Sequence, residues 1–257
     1  MSKDISSILA GWEHVPDEMS VRIVPGDDGR DKIQLRIDLG LMQMEFDDRP
    51  DGERPGGFPS WLEFYENRQQ EAGGEELELT PDDLANLLRE GVQYYHRYLS
   101  FWHLQRYDLC ARDTQRTLRL FAFVREHARQ ERDKQQFDQW RPYVTMMHAR
   151  AVATPLVESR RWTQALAAID EGIAALNIFL REYKQSHRAD ECQELKYLNG
   201  WRNEIERMRV GETAGLQETL DRLQLELTAA IQREDFEEAA SLRDEIRRRG
   251  STSERQA

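Results

Sequence analysis

From residue 20 the apolar positions of the chain alternate. In SVRIV (20–24) and, beyond the turn-forming PGDDGRD, in KIQLRIDL (32–39), they fall at every second residue, so Ile33, Leu35, Ile37 and Leu39 are predicted to line one face of a strand. The alternation changes phase at Gly40, because Met42, Met44 and Phe46 take even positions, and a bulge or tight turn at the glycine explains the switch. Arg49-Pro50-Asp51-Gly52 closes the run as a turn. Residues 1–52 are thus predicted to hold a small antiparallel β-hairpin or meander. So few strands cannot stand alone, which requires them to pack on helices. Residues 53–79 are predicted to be a linker whose aromatics Trp61, Phe64 and Tyr65 dock on the main body.

Past residue 80 the period becomes helical. Thr80 is suited to an N-cap, Pro81 to the first helical position, and Asp83 stands three residues beyond the cap. The helix that follows is predicted to reach about Leu104, with Leu84, Leu88, Tyr95, Leu99 and Trp102 or His103 on its inner face. A weak internal repeat comes next. Residues 105–126 match 159–182 through Arg106-Tyr107 with Arg161-Trp162, Cys110 with Ala165, Leu118 with Ile173, and a shared Phe-[Val/Leu]-Arg-Glu end. Stacked helix pairs spaced by about 55 residues are expected over 80–210. The last of them, near 188–208, carries Leu195, Leu198, Trp201, Ile205 and Met208. Val210 to Gly215 reads as a flexible break.

After the break, Leu216, Leu220, Leu223, Leu227 and Ala230 step by three or four and form one stripe. Arg233-Glu234-Asp235 interrupts it. Asp235 is placed to cap a second helix, with Glu238 reaching back as a capping box. Phe236, Ala239, Ala240, Leu242 and Ile246 make the second face, the alanines allowing close approach around Phe236. Residues 216–249 are therefore a helical hairpin, and 250–257 a disordered tail. Ordering a residue costs about 1.5 kcal/mol against about 25 cal/mol per Å² of apolar burial, so two such helices require a partner.

The 257 residues have 39% hydrophobic and 33% charged content, a balance typical of amphipathic helices with solvated outer faces. A net charge of -12 opposes long-range attraction to nucleic acid or to an anionic membrane. No uninterrupted run of about 18 apolar residues and no signal-peptide pattern occur, so a cytoplasmic protein with no membrane contact is expected. Cys110 and Cys192 stand far apart, suggesting reduced thiols.

No phosphate-cradling GxxxxGK[ST], no GxGxxG, no HExxH and no GxSxG is present, so no enzymatic activity, catalytic residue or cofactor is expected. Asp27, Asp28 and Asp31, and again Asp47, Asp48 and Asp51, could gather round a cation, but aspartates are common in turns for backbone reasons and no metal is predicted. His96 and His103 lie seven apart without further ligand candidates. Tyr94, Tyr95, Tyr98, Phe101 and Trp102 could line a ligand cleft, though at these spacings core packing is the expected role.

Two resemblances sharpen this reading. The segment 146–176, with Ala149 and Ala153 on one helix and an aromatic opening the next, resembles a tetratricopeptide unit, although its period is too long for that family. The segment 216–249 closely resembles the UVR motif, the hairpin of the excision-repair proteins UvrB and UvrC and of bacterial stress-protease regulators of the McsA and ClpC type. The resemblance rests on Leu220, Leu223, Leu227 and Ala230, then Asp235-Phe236-Glu237-Glu238-Ala239-Ala240 and Leu242-Arg243-Asp244-Glu245-Ile246. It implies pairing with another UVR hairpin or with a second copy, through Leu223, Leu227, Phe236, Ala239, Ala240, Leu242, Arg243 and Ile246. The helicase motifs of UvrB, the nuclease residues of UvrC and the paired CxxC sites of McsA are missing.

The expected whole is mainly α. It combines a tetratricopeptide-like antiparallel helical body, a small N-terminal β element and a C-terminal UVR hairpin, acting as a non-enzymatic bacterial interaction protein in repair or in a stress-protease system. The rival is a ligand-binding or enzymatic helical domain built on the aromatic helix, with the hairpin only a dimer clip.

Overall fold

In a computed structural model, which describes residues 4–71, 73, 77–232 and 236–256, the chain is mainly helical with one antiparallel sheet. After a short helix α1 (Ser6–Leu9) come β1 (Val21–Pro25), β2 (Asp31–Ile37) and β3 (Gly40–Glu45), in the order β1-β2-β3. The phase switch at Gly40 is a tight turn. Ile37 pairs with Gly40, which leaves Asp38 and Leu39 at the tip, so Leu39 is 91% exposed and does not share the buried face of Ile33 and Leu35. As the central strand, β2 also buries its polar positions. Gln34 accepts from Arg22 (2.9 Å) and donates to Gln43 (2.9 Å), while Lys32 Nζ reaches Asp28 (2.7 Å) and Glu45 (2.6 Å).

The expected linker contains a helix, α2 (Trp61–Glu71). Its aromatics cluster, Trp61 stacking on Tyr65 at 5.6 Å and Phe64 meeting both rings edge-on. Leu62 and Tyr65 are buried, and Trp61 and Phe64 half-buried. The apolar pattern, confined to the first turn and a half, was too short to announce a helix.

The body comprises α3 (Pro81–His103), α4 (Tyr107–His127), α5 (Glu131–Asp138), α6 (Arg141–Glu158), α7 (Trp162–Glu182), α8 (Gln193–Gln232) and α9 (Phe236–Gln256), with a 3₁₀ segment at Ser186–Glu191. At the start of α3 the predicted cap is present: the Thr80 hydroxyl accepts from the Asp83 amide, and the Asp83 carboxylate accepts from the Thr80 amide. The inner face of α3 is rotated from the expected one. It consists of Leu84, Leu87, Glu90, Tyr94, Arg97, Tyr98 and Phe101, with Leu88 and Leu99 half-buried and Tyr95 39% exposed.

Two charged residues on that face explain the rotation. Glu90, fully buried, accepts from the first two amides of α2, Trp61 (2.7 Å) and Leu62 (3.2 Å), and pairs with Arg116. A carboxylate there satisfies otherwise orphaned N–H groups and complements the helix dipole. Arg97, 1% exposed, holds both carboxylate oxygens of Asp113 on α4 (2.6 and 3.0 Å) and donates to the carbonyls of Glu45 (3.0 Å) and Asp48 (2.9 Å). These two side chains fasten the sheet and α2 to the α3–α4 pair.

A left-handed corner ends three of the helices, with φ of 57°, 56° and 55° at Gln105, Arg160 and Lys184. At the first two, the next amides, Arg106 and Arg161, each bond a carbonyl five residues back at 2.8 Å. These two corners lead into helices opened by Tyr107 and Trp162. The expected single body over 80–210 is divided, however. Residues 1–151 and 152–257 form two compact units, and their boundary lies inside α6, at the residue whose carbonyl Pro155 has no N–H to serve.

Within the second unit, α8 packs on both α7 and α9. By length and composition α7 is apolar enough to cross a membrane, although it holds no unbroken run of about 18 apolar residues. Asp170 lies at its middle and accepts from Arg202 of α8 at 2.6 Å.

Candidate functional site

Gly211 and Gly215 predict a break, yet α8 runs through both as one helix of 40 residues, about 60 Å long at about 1.5 Å per residue. Each helix-interior glycine costs about 1 kcal/mol. Glu212 between them offsets this by accepting from Trp162 Nε1 and from Arg160 Nη1 (2.8 Å), tying the stretch to the α7 corner. The first helix of the hairpin is thus the continuation of a body helix. At the other end, α9 continues through 250–256, where a disordered tail was expected.

The described side chains of the predicted docking set differ in burial. On α8, Leu223 is 8% exposed and Leu227 half-buried, as is Leu220. On α9, Ala240, Leu242 and Ile246 are half-buried and Arg243 is exposed. Among the described hairpin side chains, Leu223 alone is buried. The turn 233–235, and with it the capping box of Asp235, lies outside the described residues. So do the side chains of Leu216, Ala230, Phe236 and Ala239.

The charges of the second hairpin helix are mixed. Glu245 pairs with Arg249 (2.6 Å) and with Arg248 along the same helix, so part of the terminal arginine cluster is already neutralised. Across residues 236–257 five arginines meet five acids.

The acidic loops near the sheet are also occupied. Asp28 is held well below the usual carboxylate range, first by the Lys32 ammonium and then by the Arg30 amide and guanidinium. Asp47 pairs with Arg112 (2.7 Å), Asp48 with Arg54 (2.8 Å) and Asp51 with Arg49 (3.0 Å). No three His, Cys, Asp or Glu side chains gather as metal ligands among the described residues. Cys110 is buried and Cys192 half-buried, both free thiols, and burial pushes Cys110 up to about 12.

The aromatic helix divides its roles. Tyr94, Tyr98 and Phe101 enter the core as expected, and Trp102 lies tilted against Tyr107 (5.2 Å) beneath the Arg150 guanidinium (4.2 Å). The outer side of α3, with Val92, Tyr95 and His96, instead walls a cavity of about 330 Å³. Thr117 and Phe121 of α4 and Phe137 of α5 also line it, and Trp140, Tyr143 and Val144 complete it. Burial lowers the His96 pKa, favouring the neutral ring, and raises that of the Tyr98 phenol, which the neighbouring Tyr143 and Tyr95 raise further.

Sequence reasoning missed Glu90, Arg97 and Asp113, although Glu90 and Arg97 fall at helical spacing within the row 87–90–94–97–101 and could have been found there. Comparison with known proteins bears on the hairpin alone: the UvrB/uvrC motif model matches residues 217–248. No curated protein and no solved structure matches the chain.

Proposed function

We propose that this protein is a non-enzymatic interaction protein that pairs its C-terminal hairpin with a UVR hairpin on another protein or on a second copy of itself. Its setting is the bacterial cytoplasm, as an accessory to excision repair or to a stress-protease system. The observation that carries this reading is the motif match over 217–248 on a seam whose Leu220, Leu227, Leu242 and Ile246 are only half-covered within the chain. Apolar side chains left half-covered gain about 25 cal/mol per Å² when a partner helix removes them from water. Because α8 carries the hairpin without a break, docking there is built into the body and not tethered by a linker.

The test is sedimentation of the purified full chain, alone and mixed with a purified UVR-hairpin protein of the UvrB type. A dimer or a mixed complex is expected, weakened about tenfold or more in Ile246→Ala and Phe236→Ala, with the melting midpoint of the body unchanged. Monomers throughout, or complexes indifferent to both substitutions, would reject the reading.

A further inference from the structure

The cavity beside α3 is unrelated to the hairpin and has the makings of a second site. Its floor is closed, with Tyr98 1%, Phe137 2% and Phe121 6% exposed. Its rim is open and apolar: Val92 is 49% exposed, Tyr95 39% and Trp140 57%. Burial of the floor sets it apart from a flat contact patch, and about 330 Å³ lies within the roughly 300–1,000 Å³ range of small-molecule pockets.

The lining selects by charge. Among the described residues no Lys, Arg, Asp or Glu lines the cavity, and burial favours the neutral form of both His96 and Tyr98. A charged ligand would lose its hydration there without gaining a counter-charge, and the net charge of -12 further opposes an anion. Aromatic rings supply contact area, and phenol and imidazole groups supply directional hydrogen bonds.

Gly91 is the independent observation. It stands in the interior of α3, where glycine weakens a helix, and a Cβ built on it would meet nothing within 4 Å. Close packing therefore does not call for the glycine, yet it lines the cavity, where any larger residue would take up space.

We propose that this cavity binds a compact, uncharged aromatic molecule, of the size of two fused rings and bearing a hydroxyl or carbonyl, and that Gly91 keeps the space open for it. The full-length protein is titrated with 2-naphthol, and with 2-naphthoate and a naphthyltrimethylammonium as anionic and cationic counterparts of similar size. One-to-one binding of 2-naphthol is expected, about tenfold or more tighter than either charged probe. Gly91→Phe should abolish it, while Gly91→Ala, which keeps most of the space, should bind and melt no lower than wild type. Equal binding by wild type and Gly91→Phe, preference for a charged probe, or no 2-naphthol binding would overturn the proposal. So would a change of oligomeric state in Gly91→Phe, which would make the cavity a contact between copies.

Discussion

Replacing Asp113 with asparagine tests how the first unit is held together. The substitution keeps the shape of the side chain but removes the charge that faces Arg97 and turns an amide N–H₂ toward the guanidinium. Both partners are 1% exposed, and the bond is bidentate at 2.6 and 3.0 Å. Breaking a buried pair by removing one partner costs about 3–5 kcal/mol, mostly because the remaining charge is left uncompensated. Arg97 retains the Glu45 and Asp48 carbonyls, and Arg112 also loses a partner in Asp113 Oδ1 (3.0 Å), so the middle of that range is expected. With a urea slope of about 2 kcal/mol per M, the unfolding midpoint followed by circular dichroism should fall by about 2 M. The double variant Arg97→Met/Asp113→Leu leaves no orphaned charge and should be more stable than Asp113→Asn alone, although three carbonyls lose a donor. A loss below about 1 kcal/mol in Asp113→Asn, or a double variant no better than the single, would refute the reasoning.

Two further outcomes follow from burial. Iodoacetamide at about pH 8 should modify Cys192 well before Cys110, whose thiol burial holds up to about 12, with peptide mass spectrometry as the readout; equal rates would show the α4 core to be open. In alkaline titration, Tyr65, raised to about 12 by burial, and Tyr94 and Tyr98, also raised by burial, should ionise late among the eight tyrosines. Their unfolded value is 10, so the neutral phenols stabilise the fold fully below that pH. This contribution is lost as pH rises from 10 through the folded values, read as phenolate absorbance lagging until the unfolding transition.

Sequence alone disclosed elements wherever one periodicity ran long enough. The cap at Thr80, the alternation of Ile33 with Leu35 and the stripe through Leu223 each repeat a single physical rule several times. What it hid depended on pairing across distance. Glu90 reads as a solvated residue until the α2 amides that it accepts are folded onto it, and Arg97 until Asp113 and the end of β3 arrive. Burying these charges rotated the inner face of α3 and freed Val92 and Tyr95 to line a cavity. The glycines at 211 and 215 misled in the opposite direction, because local propensity is outweighed once Glu212 is fixed by Trp162. The hairpin motif was legible because its order of residues is characteristic. The cavity was not, since it arises from four helices whose mutual placement no local pattern encodes.

The unbroken course of α8 gives the hairpin a rotational address. At about 100° per residue, the eleven steps from Glu212 to Leu223 bring the chain round to within about 20° of its starting direction. The side of α8 bound to the α7 corner is therefore in phase with the buried residue of the seam. With no swivel between them, the azimuth at which the hairpin would meet the proposed partner is set by the count of residues. One inserted residue after Glu212 would turn the seam by about 100° while leaving its composition and hydrophobicity unchanged. On the proposed function, residue number along this helix is then itself a determinant of recognition, independent of which side chains make the contact.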